Sequence, residues 1–294
     1  MLGLATGTVA GEGLEYGLGG WRWPFLLESM VMAPLAVIVL ILERDPALRP
    51  NVDASPGFLA QMKSLFSNDV YVTTTLGSSV LMFSLGGLAF WGPDFLQSLF
   101  SISSWLAALS FALVILFSGV VGTMLGAVFM DRRLAGPQQV LATGGMSEEA
   151  FEAVRTRLGC LMVLVAVTAG GLCGLAGVWV KQFLIFILVL GFIALVLFLA
   201  FAPAGMVILS CVERPLRGQA QGMFIFFVHL LGDFPSPYVL GFMKDHLGVR
   251  WSLFLMVSWM LVGACVLTVA FMFCVRRVSR LSAYDPEAQS LLKP

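Results

Sequence analysis

The sequence predicts an all-α, polytopic membrane protein. Three observations carry that reading. Hydrophobic residues make up 59% of the chain and charged ones only 12%; the mean hydropathy is +0.94; and the apolar residues form runs long enough to cross a bilayer rather than short alternating strands. A soluble domain has about a quarter of its residues charged. Here the charges sit almost wholly in the connections between runs.

Runs near the ~20 residues that span a bilayer occur at about 24–42, 70–98, 105–130, 158–180, 183–212, 219–243 and 251–275. Residues 1–18 add a Gly-rich apolar piece with Glu12 and Glu15, expected to be the outer end of a further helix that begins before Met1. That piece lacks the basic region and cleavage site of a signal peptide. Orientation follows from the basic residues. One set of loops and the tail holds Arg44, Arg49, Lys63, Arg132, Arg133, Arg155, Arg157, Arg214, Arg217, Arg276, Arg277, Arg280 and Lys293, and the other holds only Arg22, Lys181, Lys244 and Arg250. The richer set is expected on the cytoplasmic side.

The first complete span opens with Trp21-Arg22-Trp23-Pro24-Phe25, paired indoles suited to the headgroup boundary, and places Glu28 one turn into the membrane. A linker with Pro46, Pro50 and Pro56 follows, ending in the amphipathic FLAQMKSLF, expected to lie on the membrane surface. In the second span, Gly86-Gly87 and Gly92-Pro93 predict a discontinuous helix of the kind that lines transport sites. Beside that break, Trp91 reads as an interface anchor and Asp94 as a cap of the resumed helix or an outer-loop residue. Both are candidates for the mouth of a pathway.

The third span ends with Gly122 and Gly126, at the spacing that lets helices approach closely, followed by Asp131-Arg132-Arg133. Ser147 reads as the N-cap of SEEAFEAVRTR, with its acids in the first turn. Arg214-Pro-Leu-Arg217-Gly218-Gln-Ala220-Gln-Gly222 reads as a turn feeding a tightly packed helix. That helix is the sixth span, and it contains HLLGDFPSPYVLGFMKD.

His229 and Asp233, four apart, share a helical face that must turn toward protein or a water-filled cavity. Pro235 and Pro237 then remove two backbone donors, so the helix should kink or loosen. Intramembrane ionisable residues are functional by default, and protonation is the switch this pair offers. With Ser236, Tyr238, Trp91, Asp94 and Glu28 they form the candidate substrate pathway or gate.

Lys plus Arg equals Asp plus Glu, 17 each, and there is no basic stripe, so nucleic acid is not an expected partner. Cys160, Cys173, Cys211, Cys265 and Cys274 lack CxxC or Cys/His spacing, which argues against a disulfide framework or a zinc site; they read as small core residues. No catalytic Ser/His/Asp set, phosphate-binding loop or metal cluster is present in the pattern. An enzyme, a cofactor and a metal are therefore not expected. The polar tail ends with Glu287 and Leu291-Leu292, an ExxxLL arrangement that fits an endosomal or lysosomal sorting signal or a plain disordered end.

HLLGD, followed after two residues by SPY and then a Gly, resembles the eleventh helix of Spinster-like transporters, a branch of the major facilitator superfamily. LAFWGPDFL resembles their seventh helix, and GWRWPF resembles the loop before the sixth helix of many major facilitator proteins. Asp131-Arg132-Arg133 is similar to the superfamily's helix 8–9 loop motif, which implies that Asp131 caps a neighbouring helix and that an Arg braces the closed gate. The RGxAxG of Arg217, Gly218, Ala220 and Gly222 is common at this place.

The resemblance covers the chain from Trp21 onward. It implies that residues 1–43 end an N-terminal transmembrane bundle, 44–69 form the central cytoplasmic linker, 70–275 a C-terminal six-helix bundle and 276–294 a cytoplasmic tail. It further implies alternating-access transport of lysophospholipid or sphingolipid-type amphiphiles, proton-coupled, at endosomal, lysosomal or plasma membranes. The partners would be membrane lipids, the small amphipathic substrate, protons, and either a missing N-terminal half or another copy of the chain. The residues credited with proton coupling in Spinster-like proteins lie in first helices that this chain lacks. Two other readings stand beside this one: a major facilitator carrier for an organic anion or sugar, and a receptor or regulatory fragment that does not transport.

Overall fold

The computed structural model describes residues 22–42 and 57–282. Glu12, Glu15, Glu287, Leu291 and Leu292 lie outside the described residues, as does the side chain of Glu28. The described helices are α1 (Arg22–Leu42), α2 (Phe58–Phe66), α3 (Asp69–Phe100), α4 (Ser104–Ala142), α5 (Glu148–Gly177), α6 (Phe183–Ser210), α7 (Arg217–Val228), α8 (Ser236–Leu247) and α9 (Val249–Ser282). A 3-10 turn at Arg214–Leu216 leads into α7, and a π-helical turn at His229–Asp233 separates α7 from α8. Among the described residues, six helical stretches are long and apolar enough to cross a membrane, with α7, the π turn and α8 counting as one. The protein is a multi-pass membrane protein.

Local chemistry fixes the helix starts. The Asn68 side chain accepts from the amides of Val70 and Tyr71 at 3.1 Å each and donates to the Cys211 carbonyl at 2.7 Å, so one residue caps α3 and ties it to the end of α6. Ser103 caps α4 through Leu106 N–H, and Ser147 caps α5 through Ala150 N–H, with Glu148 and Glu149 in that first turn. Between α8 and α9 the chain reverses through Gly248 at φ 90°, a left-handed conformation that side chains resist.

The reversals place Asp69, Glu148, Arg214 and Arg280 at one end of the bundle, here called the basic end. Three apolar layers then stack along the helices. At the basic end lie Tyr71, Cys160, Ile208 and Cys274; at mid-depth Leu81, Val167, Ala200 and Met260; at the far end Phe95, Phe111, Phe186 and Leu253. Helix α4, at 39 residues, is nearly twice the roughly 20 needed to span hydrocarbon. Its last turn packs Val140 and Leu141 against Met146, Ala150 and Phe151 at the start of α5.

Helices α4 and α6 approach each other closely. A Cβ built on Gly122 would lie 2.5 Å from the Leu195 carbonyl oxygen, and one on Gly126 would lie 2.3 Å from that of Leu199. Ser118, one turn earlier, donates to the Gly191 carbonyl at 3.0 Å. With backbone rather than flexible side chain in the way, a larger residue has nowhere to go. Gly126→Leu is expected to lower the melting temperature in detergent, at an overpacking cost of about 1–3 kcal/mol. Gly205→Ala, on α6 where an added Cβ meets nothing within 4 Å, should leave it equal or slightly higher. Equal melting of the two variants in scanning fluorimetry would refute this account of the seam.

Candidate functional site

The sixth span is where helical geometry fails and where ionisable residues enter the membrane. After α7 the ladder shifts register: Phe234 N–H donates to the His229 carbonyl at 3.0 Å, five residues back, which defines the π turn. Pro235 and Pro237 offer no N–H, and α8 restarts with Val239 N–H donating to the Pro235 carbonyl at 3.1 Å. The Ser236 hydroxyl donates to the Asp233 carbonyl at 3.1 Å, covering part of the gap. Within the turn, His229 Nδ1 and Asp233 Oδ2 stand 2.5 Å apart.

Helix α3 lies directly against this turn. A Cβ on Gly86 would sit 2.5 Å from Asp233 Oδ1, and one on Gly232 would sit 2.6 Å from the Ser79 carbonyl oxygen. One step further, a Cβ on Gly87 would meet Leu240 Cδ1 at 2.1 Å. The expected break in α3 at Gly86-Gly87 and Gly92-Pro93 is therefore not found. The helix is continuous through all four, and its glycines remove side chains so that the broken partner can approach.

Each half of the broken span is tied separately. On the basic side, the Tyr71 hydroxyl donates to the Ala220 carbonyl at 3.0 Å, and Ser79 Oγ reaches the Phe227 carbonyl at 3.4 Å. Arg217 pairs with Glu152 of α5 at 2.8 Å, and Arg214 pairs with Glu148. On the far side, Trp91 Nε1–H donates to the Pro237 carbonyl at 2.8 Å. Lys244 lies 4.4 Å above the Trp91 ring and 2.6 Å from Asp94 Oδ2, and Ser252 donates to the Leu240 carbonyl at 2.8 Å.

Several expectations change accordingly. Trp91 is a clamp between α3 and α8 rather than a lone interface anchor. Asp94 lies inside α3 and pairs with Lys244, because Pro93 does not interrupt the helix. Asp131 and Arg132 are exposed on α4, without a cap or brace among the described residues; their companion Arg133 lies over the Phe129 ring at 5.1 Å. The arginine that braces this end is Arg217. Gly218 has open space where a Cβ would be, so the tight packing at the start of α7 belongs to the fully buried Ala220. Tyr238 is 80% exposed.

A cavity of about 260 Å³ opens between α3, α6 and α7, apolar over most of its wall but bordered by Ser78, Gln221 and His229. A second of about 190 Å³ shares Met82, Leu85 and Phe201 with it and reaches Asp233. At the basic end a hollow of about 520 Å³ holds Glu148, Glu152, Arg214, Arg217 and Arg277. Beside it, burial, aided by neighbouring Cys274, pushes the Cys211 thiol up to about 12, while Arg277 pulls the other way. Among the described residues no cluster of three or more His, Cys, Asp or Glu is arranged to hold a metal.

A broken span beside an apolar cavity, with an ionisable pair at the break, is an arrangement also found in membrane carriers. The chain belongs to the Organic Anion Transporter Polypeptide (OATP) family, whose pattern matches residues 44–149 and 167–275, and it is Spinster-like. It is 26% identical to the probable sphingolipid transporter spinster homolog 3 of Arabidopsis thaliana over 81% of this chain and 51% of that one. It is also 26% identical to human protein spinster homolog 1 (85% and 48% covered) and 25% identical to the mouse sphingosine-1-phosphate transporter SPNS2 (83% and 45%). The chain thus spans about half the length of these relatives, two of which are named as transporters. The inward-facing, unoccupied structure of a bacterial homolog to the human lysosomal transporter Spinster superposes with a TM-score of 0.56 at 16% identity, covering 93% of this chain and 65% of that one, and shows the shared fold.

If Trp91 and Lys244 act as one clamp, their losses should not add. Trp91→Phe removes the hydrogen bond to the Pro237 carbonyl, a cost of about 0.5–1.5 kcal/mol, and Lys244→Met leaves Asp94 without its cation. The double variant should lose less stability than the two singles together. A strictly additive double-mutant cycle in detergent melting would show two independent contacts.

Proposed function

We propose that this chain forms one six-helix wall of an alternating-access carrier for lysophospholipid or sphingolipid-type amphiphiles. The observation that carries the reading is the apolar cavity beside α3 and α7, edged by a small polar pole of Ser78, Gln221 and His229. An acyl chain fits the apolar wall and a headgroup the pole. The names of the relatives support the same class of cargo.

His229 and Asp233 serve as a proton-sensitive gate in this proposal. Paired at 2.5 Å, they let the break sit in hydrocarbon without a net charge; adding a proton to Asp233 dissolves the ion pair and frees the π turn to re-register. Alternating access rocks one bundle against another. The opposing wall is supplied by an N-terminal half or by a second copy of the chain, and the carrier works in endosomal, lysosomal or plasma membranes, with Glu287, Leu291 and Leu292 as the sorting signal.

The family description favours a second reading, an organic anion as cargo. Uptake of labelled lysolipid and of an organic anion into vesicles holding the full carrier separates the two. Lysolipid uptake competed by sphingoid amphiphiles is expected, and anion uptake indifferent to lysolipid would replace the first reading with the second. In the same assay Asp233→Asn should flatten the pH dependence while leaving measurable uptake. A pH profile identical to the unmodified protein would return the pair to a purely structural role.

A further inference from the structure

The five cysteines read from the sequence as small core residues, but the fold gives two of them a more specific relation. Cys160 on α5 and Cys274 on α9, 114 positions apart, place their sulfurs 3.4 Å from each other. Both are almost fully buried, at 1% and 2% exposure, in the basic-end layer with Tyr71 and Ile208. Sulfurs in contact already point at one another, the condition that most cysteine pairs fail. Closing from 3.4 Å to a bond of about 2.05 Å asks for a movement of little more than 1 Å across a seam where α5 and α9 pack side by side. The third thiol of the layer, Cys211, is directed instead to its own helix, toward the Ile208 carbonyl at 3.5 Å.

We infer that Cys160 and Cys274 form an oxidation site at which a small peroxide converts two buried thiols into a disulfide joining α5 to α9. One sulfur, as thiolate, displaces hydroxide from hydrogen peroxide and becomes a sulfenic acid; the hydroxide takes up a proton and leaves as water. The second sulfur attacks the sulfenic sulfur, the S–O bond breaks, and the oxygen leaves as a second water. Two thiol hydrogens and one peroxide give one disulfide and two waters. Burial restricts the oxidant: hydrogen peroxide is small enough to enter a packed layer, whereas glutathione disulfide must bring its own sulfur into line with a thiol that has no open approach. A thiol reductant after unfolding reverses the bond.

The site has a consequence for the neighbouring helices. Helix α5 carries Glu148 and Glu152, the partners of Arg214 and Arg217 at the entry to α7. Covalent union of α5 with α9 stiffens the frame to which that entry is tied.

The test uses the full chain in lipid nanodiscs, exposed to hydrogen peroxide or to glutathione disulfide, blocked with a thiol-alkylating reagent, unfolded, digested and analysed by mass spectrometry. Peroxide is expected to give a peptide carrying Cys160 linked to one carrying Cys274, with the loss of two hydrogens and recovery of both peptides on reduction. Glutathione disulfide should give neither the link nor a glutathione adduct at these positions. Cys160→Ser should abolish the link and Cys211→Ala should keep it. Two thiols that remain alkylatable after peroxide treatment and unfolding, or a link from either of them to Cys211 in the unmodified protein, would overturn the proposal. That decision rests on the unmodified protein and does not require the serine variant to fold.

Discussion

Everything around the sixth span depends on one constraint: in hydrocarbon, each backbone donor and acceptor must find a partner inside the protein. Two prolines, two and four residues beyond the π turn, make that impossible for an unaided helix, and the Ser236 hydroxyl donates to the Asp233 carbonyl that Pro237 leaves free. Helices α3 and α9 then hold the two arms from outside. Tyr71, Ser79 and Trp91 of α3 address the carbonyls of Ala220, Phe227 and Pro237, and Ser252 of α9 addresses that of Leu240. To bring these groups within reach α3 gives up side chains at Gly86 and Gly87. The polar residues of α3 that would look out of place in a membrane helix thus tie it to the two arms of the broken one. Thr75 and Ser79 meanwhile satisfy their hydroxyls on their own helix, four residues back.

The architecture was legible because a bilayer imposes length. Apolar runs bounded by basic loops gave the number and order of the six spans from residue 69 onward, and Ser147 followed by two glutamates gave the start of α5. The break was legible as well, since two prolines so close together permit little else. What could not be read was that α3, the other candidate, would stay continuous. Gly86-Gly87 and Gly92-Pro93 have the composition of a broken helix, yet glycine serves close approach as readily as bending, and only the position of Asp233 and Leu240 across the interface decides between them. Pairings across long sequence separations were equally hidden. Nothing local to Asp94 announces Lys244, and nothing near Arg217 announces Glu152. A signal existed for Tyr71: hydroxyl residues at 71, 75 and 79 recur every four positions, which marks one polar stripe on an otherwise apolar helix.

The distribution of charge separates two environments. Ion pairs gather at the basic end, with Arg214–Glu148 and Arg217–Glu152, and at the far end, with Lys244–Asp94. At mid-depth, His229 and Asp233 stand beside cavities whose remaining walls are formed by residues such as Met82, Leu85 and Phe201. Among the described residues, no lysine or arginine borders either cavity. For the carrier proposed above, this wall contributes apolar surface and hydrogen-bonding groups, and a phosphate-bearing headgroup would have to find its counter-charge on the opposing wall.

The two arms of the broken span are not held alike, and this decides which of them the fold leaves easier to move. Arm α8 is locked by shape and by hydrogen bonds within the bundle: Leu240 fills the space above Gly87, the Trp91 ring packs on Gly241, and Trp91 and Ser252 hold its carbonyls. Arm α7 has the Tyr71 hydroxyl and two ion pairs at the water boundary. Of those pairs, Arg214–Glu148 has side chains 70% and 58% exposed, so it is screened by salt and worth little. The Arg217–Glu152 pair, at 28% and 15%, is the stronger hold, and it reaches α5 rather than the helix along which α7 would slide. A change at His229 and Asp233 is therefore transmitted more readily to α7 and the cavity it borders than to α8, which remains part of α3's wall.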